Sequence, residues 1–153
     1  MNFPREDDLA GIARGKVHSD PTFIWPVRVY WEDTDAGGVV YHASYLRFLE
    51  RARTEWLRAN GIDQSAVREN YGVVFVVRDI TIEFHAPARL DDEVDVLIDA
   101  VELRSASMSF AQRILRRVDG AVLTSARVRA ACVAAADFRP QRIPEALFKD
   151  KNR

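Results

Sequence analysis

The chain of 153 residues holds one cysteine, Cys132, and three histidines. A single thiol makes no internal disulfide and no multi-cysteine metal site, and it suits a reducing compartment. An excess of one charge is also missing: 22 Lys and Arg face 23 Asp and Glu, a formal net charge of −1. So balanced a domain lacks the basic surplus of a general nucleic-acid binder. Apolar runs such as Val73 to Val77 stay far short of the roughly 20 residues that a membrane span requires. Residues 1–24 carry Arg5, Glu6, Asp7, Asp8, Arg14, Lys16 and Asp20, which is no secretory apolar segment. Seven glycines and six prolines exclude a collagen-like chain. What is present is ordinary globular composition, 48% hydrophobic and 29% charged. A chain of this length buries roughly 70% of its unfolded surface around one core. The expectation is a soluble, cytoplasmic single domain.

The hydrophobic period changes along the chain in an informative order. Residues 1–24 are polar, with turn residues at Pro4, Gly15 and Ser19-Asp20-Pro21, and read as an N-terminal extension. Residues 25–137 read as the domain. Residues 138–153, with Pro140 and Pro144, read as a C-terminal tail that leaves the core. Within the domain, Val27 and Val29 alternate with Arg28 and Tyr30, so residues 25–32 read as a strand. A polar loop with two glycines follows at 33–38. Tyr45, Phe48, Leu49, Ala52, Trp56 and Leu57 then recur at three and four, predicting a helix over 43–60 that stops at Asn60-Gly61. Residues 73–84, 93–103, 108–118 and 121–133 read as strands, the last two joined by the hairpin signal Asp119-Gly120.

This order, strand, long helix, four strands, describes an α+β domain with one helix laid on a five-stranded, mainly antiparallel sheet. A helix of about 18 residues is about 27 Å long and covers one sheet face. Yet Val73 to Val77, Val96-Leu97-Ile98 and Ile114-Leu115 read as apolar on both faces. The pattern predicts a second copy of the chain against the other face or an edge.

The densest cluster of unusual residues lies between the first strand and the helix. Glu32, Asp33 and Asp35 place three carboxylates in four positions, and Gly37-Gly38-Val39-Val40-Tyr41-His42 lead into the helix. The bland reading is a hydrated acidic turn, with Asp33 and Asp35 bonding their own backbone. A calcium loop fails, because its fifth position is Gly37 and its twelfth is Ser44. No phosphate-binding Gly-x-x-x-x-Gly-Lys, no Gly-x-Ser-x-Gly elbow and no His-Glu-x-x-His pair occurs. What remains is a carboxylate just upstream of a helix N-terminus, where unpaired N–H donors form the hardware of an oxyanion site. Acyl transfer needs such donors and a group that attacks or activates water.

The stretch from Trp25 to Tyr45, with Asp33-Thr34-Asp35-Ala36-Gly37-Gly38-Val39-Val40-Tyr41-His42 at its centre, strongly resembles the hotdog-fold acyl-CoA thioesterases. Within them it is similar to the 4-hydroxybenzoyl-CoA thioesterase family, YbgC type, which is associated with the Tol–Pal system. The likeness continues through Phe48-Leu49-Glu50-Arg51-Ala52-Arg53-Thr54-Glu55, Phe75-Val76-Val77-Arg78 and Ala86-Pro87-Ala88-Arg89-Leu90-Asp91-Asp92. The resemblance implies a helix wrapped by an antiparallel sheet, active sites at a homodimer interface, and dimers pairing into homotetramers. It implies hydrolysis of acyl-CoA, or of acyl-carrier-protein thioesters, with no metal and no redox cofactor. It also implies a link to Tol–Pal or to lipid synthesis.

By the same resemblance Asp35 is the catalytic carboxylate, as general base or as nucleophile, and the backbone N–H of His42 polarises the thioester carbonyl. Asp33 is expected to orient the loop at the bound substrate, and Gly38 to permit its close approach. Tyr41 lines the acyl pocket, and the packing of Tyr45 and Phe75 sets its depth. Glu50, two turns into the helix, is a reserve acid. Coenzyme A carries phosphates, for which Arg78, Arg89 and Arg104 are available. His85 and Cys132 read as structural residues of strands. A non-catalytic acyl-binding or interaction module of the same fold is the rival reading, and a hotdog dehydratase fits the order of carboxylate, loop and helix less well.

Overall fold

A computed structural model describes residues 16–18 and 23–148. Helix α1, His42–Ala59, forms where helical spacing was read. Tyr45, Phe48, Leu49, Ala52, Trp56 and Leu57 are all buried, and they make the stripe that seats the helix on the sheet. Phe110 of the sheet meets Trp56 edge-to-face at 5.7 Å. Arg53 belongs to that stripe as well, one turn after Leu49. It is buried; its Nη1 donates to Gln112 Oε1, whose amide Nε2 in turn donates to the Leu49 carbonyl. Burial lowers the guanidinium's pKa, opposed by Glu50, and the amide of Gln112 answers it with a hydrogen bond. The helix ends at Asn60, whose N–H reaches the carbonyls of Trp56 and Leu57.

A second helix, α2, Gln64–Tyr71, occupies a stretch expected to be a connection. Asp63 caps it by accepting from the Ala66 N–H at 3.0 Å, and Gly72 closes it at φ 65°. Only Val67 of its eight residues is buried. One buried residue in two turns, among mostly polar neighbours, makes a weak period, which is why the pattern concealed it.

Strands β1, Lys16–His18, and β2, Phe23–Arg28, lead the chain, and β3, Val73–Phe84, follows the helices. Strands β4, Glu93–Leu103, β5, Ser107–Arg116, and β6, Val122–Ala134, complete one antiparallel sheet. Its order is β1-β4-β5-β6-β3, with β2 also on β4. The five long strands β2 to β6 are the expected sheet, and β1 adds three residues beside Val101 to Leu103. The expected extension therefore differs in outline. Residues 1–15 and 19–22 lie outside the described residues, residues 16–18 pair with the sheet, and Phe23 already opens β2. The chain crosses from one edge of the sheet to the other through α1 and α2, and β3 forms the far edge.

The three runs that read as apolar on both faces each abut a register irregularity. These fall between Val77 and Asp79, Ile98 and Ala100, and Ile114 and Leu115. In the first two an extra residue just past the run, Arg78 or Asp99, restarts the alternation; at Ile114-Leu115 the extra residue is Leu123 of the paired strand β6. Within each run the strands alternate, so Leu97, buried, and Val74 and Val76, partly buried, lie opposite the core residues Val96, Ile98, Val73 and Phe75; the face away from α1 is apolar in part and charged in part. Arg113 makes a two-pronged pair with Asp99 at 2.7 and 2.8 Å, and Arg129 meets Asp79 at 2.6 Å.

The segment after Phe138, expected to leave the core, returns along the sheet. Val133 bridges Pro140, the Gln141 N–H donates to the Cys132 carbonyl, and the Ile143 N–H donates to that of Ser105. Ile143, Leu147 and Phe148 pack on the core; their apolar side chains explain the return. Cys132 is fully buried beneath this segment, 3.8 Å from the Arg142 carbonyl, and burial pushes its thiol pKa up. His85 lies just past β3 rather than in it, with Nε2 2.9 Å from Ser125 Oγ.

Candidate active site

Between β2 and α1 the chain makes two tight turns, and the two aspartates take opposite sides of them. Asp33 closes a short 3-10 turn, Trp31–Asp33, where the strand was expected to continue. It is buried. Its Oδ2 accepts from the Tyr30 N–H at 2.8 Å, and its carbonyl accepts from the Tyr41 N–H at 2.8 Å. Asp33 thereby ties the residue before the turn to the residue before the helix. Asp35 is exposed. Its N–H donates to the Val39 carbonyl at 2.9 Å, its carbonyl accepts from Gly38, and its Oδ1 accepts from the Gly37 N–H at 2.8 Å. Thr34 pairs with Val40 across the base of this loop.

The two glycines are required for different reasons. A Cβ on Gly37 would lie 3.0 Å from Asp35 Oδ1, and Gly38 adopts φ 78°, where side chains are strained. The loop holds one carboxylate oxygen, Oδ1, by a backbone N–H, and the residue remains exposed.

His42 opens α1, so its N–H and that of Ala43 have no preceding turn to accept them. The imidazole is exposed and tilts against the half-exposed Tyr41 ring at 4.4 Å. Tyr45 is buried at 3% exposure. Its ring sits between Phe48 and Phe84, and its hydroxyl accepts from the Ala88 N–H at 3.0 Å. Burial raises the phenol's pKa; the Ala88 N–H and Arg116 oppose, and Asp92 and Asp35 add to the rise.

The expected basic residues separate. Arg89 reaches the loop, since its backbone bridges Val39 while its side chain stays exposed. Arg78 does not reach it within one chain. It is the extra residue of the β3 irregularity, six residues before Phe84 or about 20 Å along the strand. Arg104 pairs with Glu102 at 2.8 Å, two residues back at the end of β4. Glu50 is exposed and shares with Arg53, Phe75 and Val77 the wall of a cavity of about 60 Å³. A larger cavity of about 210 Å³ lies against Tyr30, Glu32, Asp33 and Arg51.

Among the described residues no three His, Cys, Asp or Glu side chains gather as metal ligands, and no helix is long and apolar enough to cross a membrane. From the turn at residues 85–92 the sequence offered Arg89 for the site, and the part played by Ala88 was not legible in it. The Val40 N–H donates to the Ala88 carbonyl at 2.8 Å, which joins that turn to the loop.

A helix laid on an antiparallel sheet, with an acidic loop feeding the helix start, defines a hotdog domain of the thioesterase-like superfamily, whose family model matches residues 29–149; the chain belongs to that superfamily. Within it the chain groups with the YbgC thioesterases. It is 47% identical over 128 residues to the acyl-CoA thioester hydrolase YbgC of Escherichia coli O6:H1, spanning 84% of this chain and 94% of that protein. It is 44% identical over 126 residues to the acyl-CoA thioesterase YbgC of Haemophilus influenzae, spanning 82% and 91%. Among solved structures, the probable thioesterase of Bartonella henselae superposes with a TM-score of 0.74 at 34% identity, covering 80% of this chain and 99% of that one.

Proposed function

We propose that the chain hydrolyses acyl-CoA thioesters to the free acid and coenzyme A, with acyl-carrier-protein thioesters as alternative substrates. One observation carries the reading: Asp35 is exposed on a loop held by its own backbone, and that loop runs directly into the unpaired N–H groups at His42. The His42 N–H polarises the thioester carbonyl and stabilises the oxyanion of the tetrahedral intermediate. Asp35 either takes a proton from attacking water or attacks the carbonyl itself to form an anhydride that water then opens. Either route expels the thiolate, which takes up the proton released by water. The chemistry needs neither metal nor redox cofactor, because preorganised donors act on an already activated ester. Gly38 and Tyr41 border the substrate, Asp33 holds the loop, and Arg89 is the nearer candidate for the phosphates of coenzyme A.

Arg78 enters this proposal only through a second copy. The twelve-residue β3 is an edge strand, and Val77 and Phe84 along it are 48% and 51% exposed. A long apolar edge of this kind invites pairing. A homodimer across it, or a homotetramer of such dimers, is expected to sediment at a multiple of the 17.4 kDa chain mass; a mass of one chain overturns the assembly. A cytoplasmic setting and a link to Tol–Pal or lipid synthesis belong to the same proposal.

The functional test is free-thiol release from short, aromatic and long acyl-CoA substrates. Turnover on at least one member is the expected result. Binding without turnover on every member would establish instead an acyl-binding module.

A further inference from the structure

Ala88 is fully buried, and both of its peptide groups are spent on the segment that carries the candidate site. Its N–H donates to Tyr45 Oη at 3.0 Å, and its carbonyl accepts from the Val40 N–H at 2.8 Å. Tyr45 stands three residues after His42, and Val40 five after Asp35. The turn is itself braced from the far side. Arg116 Nη2 donates to the Pro87 carbonyl at 2.8 Å, and the Arg89 N–H donates to Asp92 Oδ2 at 2.9 Å.

A phenylalanine at position 45 would fill nearly the same space between Phe48 and Phe84. A buried hydroxyl is costly unless it bonds, so its presence calls for a role beyond packing. The hydroxyl is buried and bonded to the Ala88 N–H; it fixes the first turn of α1 to the turn that also holds Val40.

We propose that Tyr45 is a positioning residue for thioester hydrolysis: through Ala88 it locks the start of α1 to the Asp35 loop, setting the carboxylate against the His42 N–H. The inference rests on the hydrolase reading above. Asp35 and the helix start belong to different local structures, a tight turn and a helix, and their relative placement needs a third element. Asp33 supplies one tie through Tyr41, and the Tyr45–Ala88–Val40 clamp supplies the second. Displacements near 1 Å between reacting groups cost about 100-fold in rate, so loss of one tie of two is felt in kcat rather than in substrate affinity.

Tyr45→Phe is expected to lower kcat about tenfold while KM stays within about twofold, measured on the best acyl-CoA substrate well below the unfolding midpoint. Val67→Ala, a core truncation in α2, serves as the control: it lowers the midpoint and leaves kcat unchanged. A merely structural Tyr45 behaves like that control, with wild-type kcat in the folded variant, and this result overturns the proposal. A rise in KM at constant kcat overturns it too, since it puts the phenol at the substrate. Should Tyr45→Phe not fold, Arg116→Met decides, because it loosens the same turn from the partly exposed side; kcat down about threefold supports the clamp, and unchanged kcat refutes it. A wild-type chain inactive on the whole panel removes the hydrolase reading and this inference with it.

Discussion

Asp35→Asn is expected to lower kcat by about two to four orders of magnitude while the unfolding midpoint moves by no more than about 2 °C. The variant separates charge from architecture unusually cleanly. Asparagine keeps an Oδ1 acceptor for the Gly37 N–H, and the main-chain bonds to Val39 and Gly38 are untouched. The side chain is exposed, so no core contact is lost. What disappears is the basic or nucleophilic oxygen, and both chemical routes need it. Thiol release at saturating acyl-CoA, alongside a melting curve, checks the point. Near-normal hydrolysis by a folded variant would remove Asp35 from the chemistry and transfer attention to Glu50.

Phe48→Ala is expected to cost about 3–5 kcal/mol of stability, a fall of about 10 °C in the unfolding midpoint. Phe48 is fully buried on the face of α1 that meets the sheet, its ring 6.2 Å from Tyr45 and capped on the outside by the Arg51 guanidinium at 5.6 Å. Truncation removes apolar burial and leaves a void that the sheet cannot collapse into. Total stabilities near 5–15 kcal/mol make this a large fraction. Denaturant melts of the two proteins measure it directly; a loss under about 1 kcal/mol means that α1 is not seated as described.

Much of the fold was legible because its signals are local. The strand bounds at 73–84 and 93–103 agree with the structure, each limited by a turn: Gly72 in a left-handed conformation before one, and the 85–92 segment between them. Helix α1 shows its buried stripe at plain helical spacing. Helix α2 was hidden, because Val67 alone faces inward. The outer face was legible in part: its apolar residues Val74, Val76 and Leu97 show in the pattern, whereas the ion pairs Arg113–Asp99 and Arg129–Asp79 join residues of different strands and do not.

The site divides in the same way. The carboxylate turn could be read from Asp35, Gly37 and Gly38 alone, since its bonds span two to four residues. The burial of Asp33 and the exposure of Asp35 could not be read, although the two are chemically alike and two positions apart. Nor could the partner of Tyr45, which lies 43 residues away, or the distance of Arg78 from the loop.

By itself, then, the sequence determined a single α+β domain with one cysteine, near-neutral charge and an acidic glycine turn at a helix start. Those features follow from side-chain chemistry and from periods that repeat within a dozen residues. Only the tertiary structure decided which aspartate faces solvent, which arginines approach the loop, and that Ala88 joins loop to helix. The physical reason is that these depend on strand register and on the crossing of α1 between sheet edges. Both are set by closing the whole core at once rather than by any stretch of chain within it.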